Sequence, residues 1–225
     1  MNKILKFFLI LFGILIGLWI VGRLTNAFQW FSTPTYSNYP TLKPGDRFFA
    51  SNLIKPERFD LICYYSTTPE FGKQIWVHRL CGIGGDKVEI RDGDLYINNE
   101  FADKNFSVAH NYILPQAEWE KVNSIEKLDD SYANRINTDS ILVYLPDIVV
   151  TTHSIKGRKV ILPKGQSDEY IRKQFSKKWN QDNFGPIVVP RGKFFVLGDN
   201  RLNSQDSRHI GFIDNSNYVA TVIGR

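Results

Sequence analysis

Three separated stretches of the chain hold side chains suited to hydroxyl and proton chemistry. Thr35-Tyr36-Ser37-Asn38-Tyr39-Pro40 sets a serine in a turn-prone, proline-flanked stretch just ahead of an apolar run. His78 ends a run of β-branched and aromatic residues and precedes the glycine-rich Cys81-Gly82-Ile83-Gly84-Gly85-Asp86. Gly198-Asp199-Asn200-Arg201-Leu202-Asn203-Ser204-Gln205-Asp206-Ser207-Arg208 follows another apolar run and is too polar for a plain hairpin. A serine hydroxyl is a nucleophile only when a base and a hydrogen-bonded surround are brought to it. Taken singly, each stretch has a plainer reading. A loop serine is usually a turn former, a strand histidine is usually structural, and a polar loop is usually surface.

The elements that must position them read mostly as strands. Residues 46–50, 60–65, 74–80, 87–90, 94–97 and 193–197 are short β-branched and aromatic runs punctuated by Gly, Pro, Asn and Asp. Asp92-Gly93 and Asn98-Asn99 read as tight hairpin turns. Residues 101–183 differ: a polar part with a short helix expected over 117–128, an apolar run over 141–150, and a basic run over 156–178 whose only counter-charges are Asp168 and Glu169. That basic run is either a solvated surface or a face toward anionic lipid. The whole stretch reads as an insertion or cap on a β core.

At the front, Lys3 and Lys6 precede an uncharged apolar run over residues 7–22, closed by Arg23. The run is slightly long for a cleaved signal peptide, whose apolar region spans about 7–15 residues. The residues that follow, Arg23 to Trp30, show no convincing small-x-small cleavage site. An uncleaved helical anchor is expected, with Trp19 and Trp30 suited to the interfacial belt. Basic residues before the run place the N-terminus in the cytoplasm and the rest on the outer face of the cell membrane, in a single pass.

The 225 residues are 43% hydrophobic and 23% charged, which excludes wholesale disorder. The net charge of +5 is too mild to argue for nucleic acid. The two cysteines, Cys63 and Cys81, form no C-x-x-C pair, so a zinc ribbon is excluded; burial as free thiols is expected. Four scattered histidines make a multi-histidine metal site an unattractive reading.

Together the stretches resemble the type I signal peptidases, membrane-anchored serine proteases. Ser37-x-x-Pro40-Thr41-Leu42-x-x-Gly45-Asp46 resembles the family's nucleophile box, and Arg58-Phe59-Asp60-Leu61-Ile62 its next strand. His78-Arg79-Leu80-x-Gly82-x-x-Gly85-Asp86 is similar to its lysine box. Asn183-Phe184-Gly185-Pro186 and Gly198-Asp199-Asn200-Arg201-x-x-Ser204-x-Asp206-Ser207-Arg208 match almost residue for residue. The resemblance implies a mainly β fold: an N-terminal membrane helix (1–24), a β-rich catalytic core (25–100 and 184–225) and an inserted α+β cap lobe (101–183).

It further implies Ser37 as nucleophile, with the Ser37 N–H and the Thr35 hydroxyl as the oxyanion hole. Ser204 corresponds to a serine that hydrogen-bonds the base, and Asp206 and Arg208 to a pair that holds the loop together. The chain departs from the family twice. Asn38 replaces a methionine beside the nucleophile, where it would reshape the adjoining substrate pocket. His78 stands where the bacterial enzymes carry a catalytic lysine; an imidazole titrates near 6.5 and needs no depression to act as a base. A carboxylate is expected to fix its tautomer, Asp206 first and Asp199 second. Lys73 is no substitute base, because the strand alternation turns it away from His78.

The expected substrate is a signal-peptide-bearing preprotein cut after small residues of Ala-x-Ala type, with membrane lipid as the other partner. No metal or organic cofactor is required, no nucleic acid is expected, and a partner subunit is left open. The competing reading is an inactive membrane-anchored homologue that kept the fold as a binding or assembly protein.

Overall fold

The computed structural model describes residues 2–25, 27–68, 72–128 and 133–224. Asn26, inside the stretch read above for a cleavage site, lies outside them, as do the side chains of Arg23 and Leu24. The chain opens with helix α1 (Lys3–Leu24), whose residues 7–22 are apolar on every side and of which no residue from Lys3 to Gly22 is buried. A helix of this kind suits hydrocarbon rather than a protein core.

Strands follow in the order β1 (Gln29–Ser32), β2 (Arg47–Ser51), β3 (Leu61–Thr68), β4 (Gly72–Ile83), β5 (Lys87–Arg91), β6 (Asp94–Ile97), β7 (Glu100–Phe101) and β8 (Ala109–Pro115). Helix α2 (Gln116–Glu126), strands β9 (Ala133–Arg135) and β10 (Ser140–Pro146), helix α3 (Asp147–Thr152), strand β11 (Arg158–Lys159) and helix α4 (Glu169–Phe175) come next. The chain ends with β12 (Phe184–Val188), β13 (Lys193–Leu197), α5 (Ser207–Ile210), β14 (Ile213–Asp214) and β15 (Tyr218–Gly224).

Among the described residues these form a seven-stranded sheet ordered β1-β2-β15-β3-β4-β13-β14 and two four-stranded sheets, β12-β5-β6-β7 and β11-β8-β10-β9. The last lies wholly within the 101–183 segment. Both hairpin turns form where the sequence places them, with Asp92 and Gly93, then Asn98 and Asn99, at positive φ. The 141–150 run divides at Pro146, which ends β10 and caps α3; a proline fits a strand end or a helix start but neither interior. The helix expected over 117–128 is α2, displaced by a residue or two at each end.

The β3–β4 hairpin pairs Leu61 with Arg79 and Ile62 with His78, so His78 stands on an internal strand. One face of the large sheet packs Leu42, Phe48, Leu61, Cys63 and Ala220; the other packs Ile62, Tyr64, Leu80 and Val196. Cys63 and Cys81 are both buried free thiols. Cys63 sits opposite Val77, four positions along β4 from Cys81. At about 3.3 Å per residue that separation is roughly twice what a disulfide spans.

Candidate active site

Ser37 lies in the turn between β1 and β2, which the chain closes with Tyr39 N–H to Tyr36 C=O and Leu42 N–H to Asn38 C=O bonds. Three ties fix this turn to β4 and to the loop that follows β13. The buried Asn38 amide donates to the Val77 carbonyl of β4 at 2.7 Å. Asn200 N–H donates to the Ser37 carbonyl at 3.0 Å. Arg79 reaches the Thr41 hydroxyl at 3.1 Å. Beneath the turn, Tyr39 packs on Ala109, with Tyr36, Leu128 and Tyr144 against the same cluster, so the 101–183 segment supports it.

His78 is 4% exposed. Its Nδ1 is 2.8 Å from the Tyr64 hydroxyl and its Nε2 is 3.2 Å from Ser204 Oγ, with the Trp76 ring edge-on beside it. Burial lowers its pKa to about 4, against the raising influence of Asp206 and Asp199. The imidazole is therefore neutral at neutral pH, and the value lies well below the 6.5 expected from sequence. The imidazole needs no help from a lysine to be uncharged.

Neither carboxylate proposed to orient His78 contacts it. Asp206, fully buried, accepts from Arg208 Nε at 2.8 Å and Nη2 at 2.7 Å, and from the Gly198 N–H at 3.0 Å. The guanidinium, with smaller help from His209 and His78, outweighs burial and holds the Asp206 carboxyl well below the usual range. Asp199 forms a two-pronged pair with Arg79 at 2.6 and 2.5 Å. Both carboxylates are committed to guanidinium groups whose desolvation they offset, and the hydrogen bonds of the imidazole go to Tyr64 and Ser204. The ring nitrogen meets a phenol instead.

Tyr64 is the residue that reading the sequence missed. It faces Trp76 across the hairpin, and His78 faces Ile62, so Tyr64 and His78 are diagonal neighbours on one sheet face. The register that shows this depends on the hairpin connection, which the strand pattern alone does not fix.

Ser37 and Thr35 hydroxyls are 3.2 Å apart. Both line a cavity of about 450 Å³ with His78, Gln205, the β4 residues Gln74 to Val77, and apolar walls from Phe31, Phe48 and Cys63. Ser204 does not line it and is only 9% exposed. The hydroxyl on His78 Nε2 is thus Ser204's, while Ser37 is the hydroxyl open to a ligand. Gly198 holds the two together: a Cβ there would lie 2.2 Å from Ser204 Oγ and 2.4 Å from the Ser37 carbonyl oxygen. Among the described residues no group of acidic, histidine and cysteine side chains is arranged to hold a metal ion.

The family model described as "Signal peptidase, peptidase S26" matches residues 1–225. A signal peptidase I of Buchnera aphidicola subsp. Baizongia pistaciae is 31% identical over 99% of this chain and 76% of its own length. One of Aquifex aeolicus is 31% identical over 96% of this chain and 80% of its own. A solved signal peptidase I structure from Enterococcus faecalis V583 covers 76% of this chain and 98% of that one, at 23% identity and a TM-score of 0.36.

Proposed function

The chain belongs to the signal peptidase family, peptidase S26, and from that premise we propose that Ser37 is its nucleophile and His78 its general base. It is a serine endopeptidase of the signal peptidase I type and acts in signal-peptide cleavage. Its N-terminal apolar helix is consistent with a membrane anchor.

The observation that carries the proposal is the sharing of one cavity by the Ser37 hydroxyl and an uncharged His78. Strand β13 pairs with β4 only from Arg79 onward, so the edge of β4 from Gln74 to His78 has no strand partner among the described residues. A preprotein segment lying extended along that edge would meet the Ser32 to Thr35 backbone on its other side, as in strand addition. Small side chains before the cut, of Ala-x-Ala type, would occupy the shallow apolar ground between Phe31, Phe48 and Ile75. Ser37 Oγ attacks the carbonyl carbon, its proton passes to His78 Nε2, and the Ser37 N–H and Thr35 hydroxyl receive the oxyanion; His78 then gives the proton to the leaving amine as the C–N bond breaks, and a water activated by the same base hydrolyses the Ser37 ester. The Ser204 hydroxyl on Nε2 keeps that nitrogen hydrogen-bonded until the substrate arrives. Anchoring by α1, inserted from the cytoplasmic side, would set this cleft at the outer membrane surface where a preprotein's apolar segment ends.

The test is cleavage of an Ala-x-Ala preprotein in detergent or lipid by the wild type and by Ser37→Ala. Cleavage by the wild type alone is the expected result. Equal cleavage by both would remove Ser37 from the mechanism, and cleavage by neither would return the inactive-homologue reading.

A further inference from the structure

Among the described residues the partner of His78 Nδ1 is a phenol and not a carboxylate, and a base that must turn one nitrogen toward a reacting hydroxyl needs something to hold the other. We infer that Tyr64 is the positioning residue of the base: its phenol oxygen fixes the imidazole ring by accepting a hydrogen bond from Nδ1–H, which leaves Nε2 as the bare, basic nitrogen. The inference rests on His78 being the base and adds how that base is oriented.

Three observations support it. The Tyr64 hydroxyl is 2.8 Å from Nδ1, the shorter of the two hydrogen bonds to the ring. Tyr64 has no solvent exposure, and burial, with Asp206 nearby, raises its pKa well above the ordinary 10. It therefore stays a neutral phenol, able to donate to a bare Nδ1 or accept from Nδ1–H. The carboxylates that would otherwise compete, Asp206 and Asp199, are each engaged by an arginine. With Nδ1 held by a phenol on β3, Nε2 is left facing Ser204 and the cavity.

Ring orientation and protonation separate in the chemistry. Before reaction the competent tautomer carries its hydrogen on Nδ1 and donates it in a hydrogen bond to Tyr64 Oη, which holds the ring in place with Nε2 bare. When the seryl proton reaches Nε2, the imidazolium has hydrogens on both nitrogens; Nδ1–H still donates to Tyr64 Oη, and no net charge leaves the ring. A neutral acceptor stabilises imidazolium less than a carboxylate does, consistent with the low basicity of this histidine.

The test compares Tyr64→Phe with wild type and His78→Ala in preprotein cleavage, with ¹⁵N-histidine spectra of each. Expected for Tyr64→Phe are a kcat about tenfold lower, an unchanged KM, a melting temperature lowered by about a few degrees for the lost buried hydrogen bond, and a His78 Nδ1 resonance shifted toward the non-hydrogen-bonded position. An unchanged kcat, or an unchanged Nδ1 resonance, overturns the inference while leaving the base assignment intact if His78→Ala is inactive. An active His78→Ala overturns the base assignment itself. Should Tyr64→Phe fail to fold, fluorotyrosine at position 64 replaces it: its oxygen accepts more weakly with almost no change in shape. A lower kcat then supports the role, and a wild-type kcat overturns it.

Discussion

At the scale of single residues, the proposed chemistry turns on a histidine kept neutral by burial. With its pKa near 4, the neutral base persists down to moderate acidity. The kcat/KM profile should then be level from neutral pH to about pH 5 and fall only as pH approaches 4. An acid limb centred near 6.5 would contradict this. The same shift bears on stability, with the sign fixed by which state binds the proton. Unfolded His78 titrates near 6.5 and folded His78 near 4, so its effect is to lower stability as pH drops between those values. Asp206 acts separately and lower down. Its depressed carboxyl adds stability above the unfolded value near 3.9, lost as pH falls toward its folded pKa. Urea midpoints measured from pH 7 to pH 3 should decline in that order. Gly198 supplies the sharpest steric prediction. Gly198→Ala drives a methyl into Ser204 Oγ and the Ser37 carbonyl, and should cost about 1–3 kcal/mol by overpacking with near-complete loss of cleavage. Full activity in that variant would show that the two serines need not be held together. Ser37, His78 and the polar loop were legible as residues because their motifs are dense and local. Tyr64 was not, since a tyrosine in a strand looks like any core aromatic until the register is known.

At the scale of elements, the site is a junction between a turn, a hairpin and a loop. Asn38 is the clearest join, carrying the Ser37 turn onto β4 next to His78. The sequence flagged it as a departure and suggested a reshaped pocket; the structure gives it a tether instead. Asn38→Ala should lose about 1 kcal/mol for the hydrogen bond, with cleavage reduced as the turn loosens. Asn38→Asp should be worse, because it sets a carboxylate against the Val77 carbonyl in a buried place. Thermal unfolding of the three proteins at neutral pH checks the order, and an Asp variant as stable as wild type would refute it. Arg79 is the second join, linking β4 to Asp199 on the final loop and Thr41 on the Ser37 turn. Strand periodicity revealed β2 to β6 and β13 well because those runs alternate or lie between strong turn formers. The short strands β7, β11 and β14, and terminal β15, gave no such signal. Two residues carry no period, and β15 gains its place only by inserting between β2 and β3.

At the scale of the whole molecule, the apolar helix stands apart from the folded body. From Lys3 to Gly22 no residue of α1 is buried in that body, and the Asn52 amide meets the chain just past the helix, at the Thr25 carbonyl. A protein lacking residues 1–24 should therefore keep its melting temperature and cut a soluble Ala-x-Ala peptide. On a preprotein held in lipid vesicles it should be slower than the full chain; equal rates there would deny the anchor a role in presenting substrate. Sheet order was the least legible property, since the neighbours of β15 and β13 lie far away in sequence. What decides the account as a whole is which hydroxyl becomes acylated, because Ser204 rests on the base while Ser37 faces the cleft. The direct measurement is mass spectrometry of the enzyme quenched during turnover of an activated ester or a slow peptide analogue. An acyl adduct on the Ser37 peptide, retained in Ser204→Ala and strongly slowed in His78→Ala, is the predicted result. An adduct on Ser204, or one on Ser37 formed as fast without His78, would contradict it.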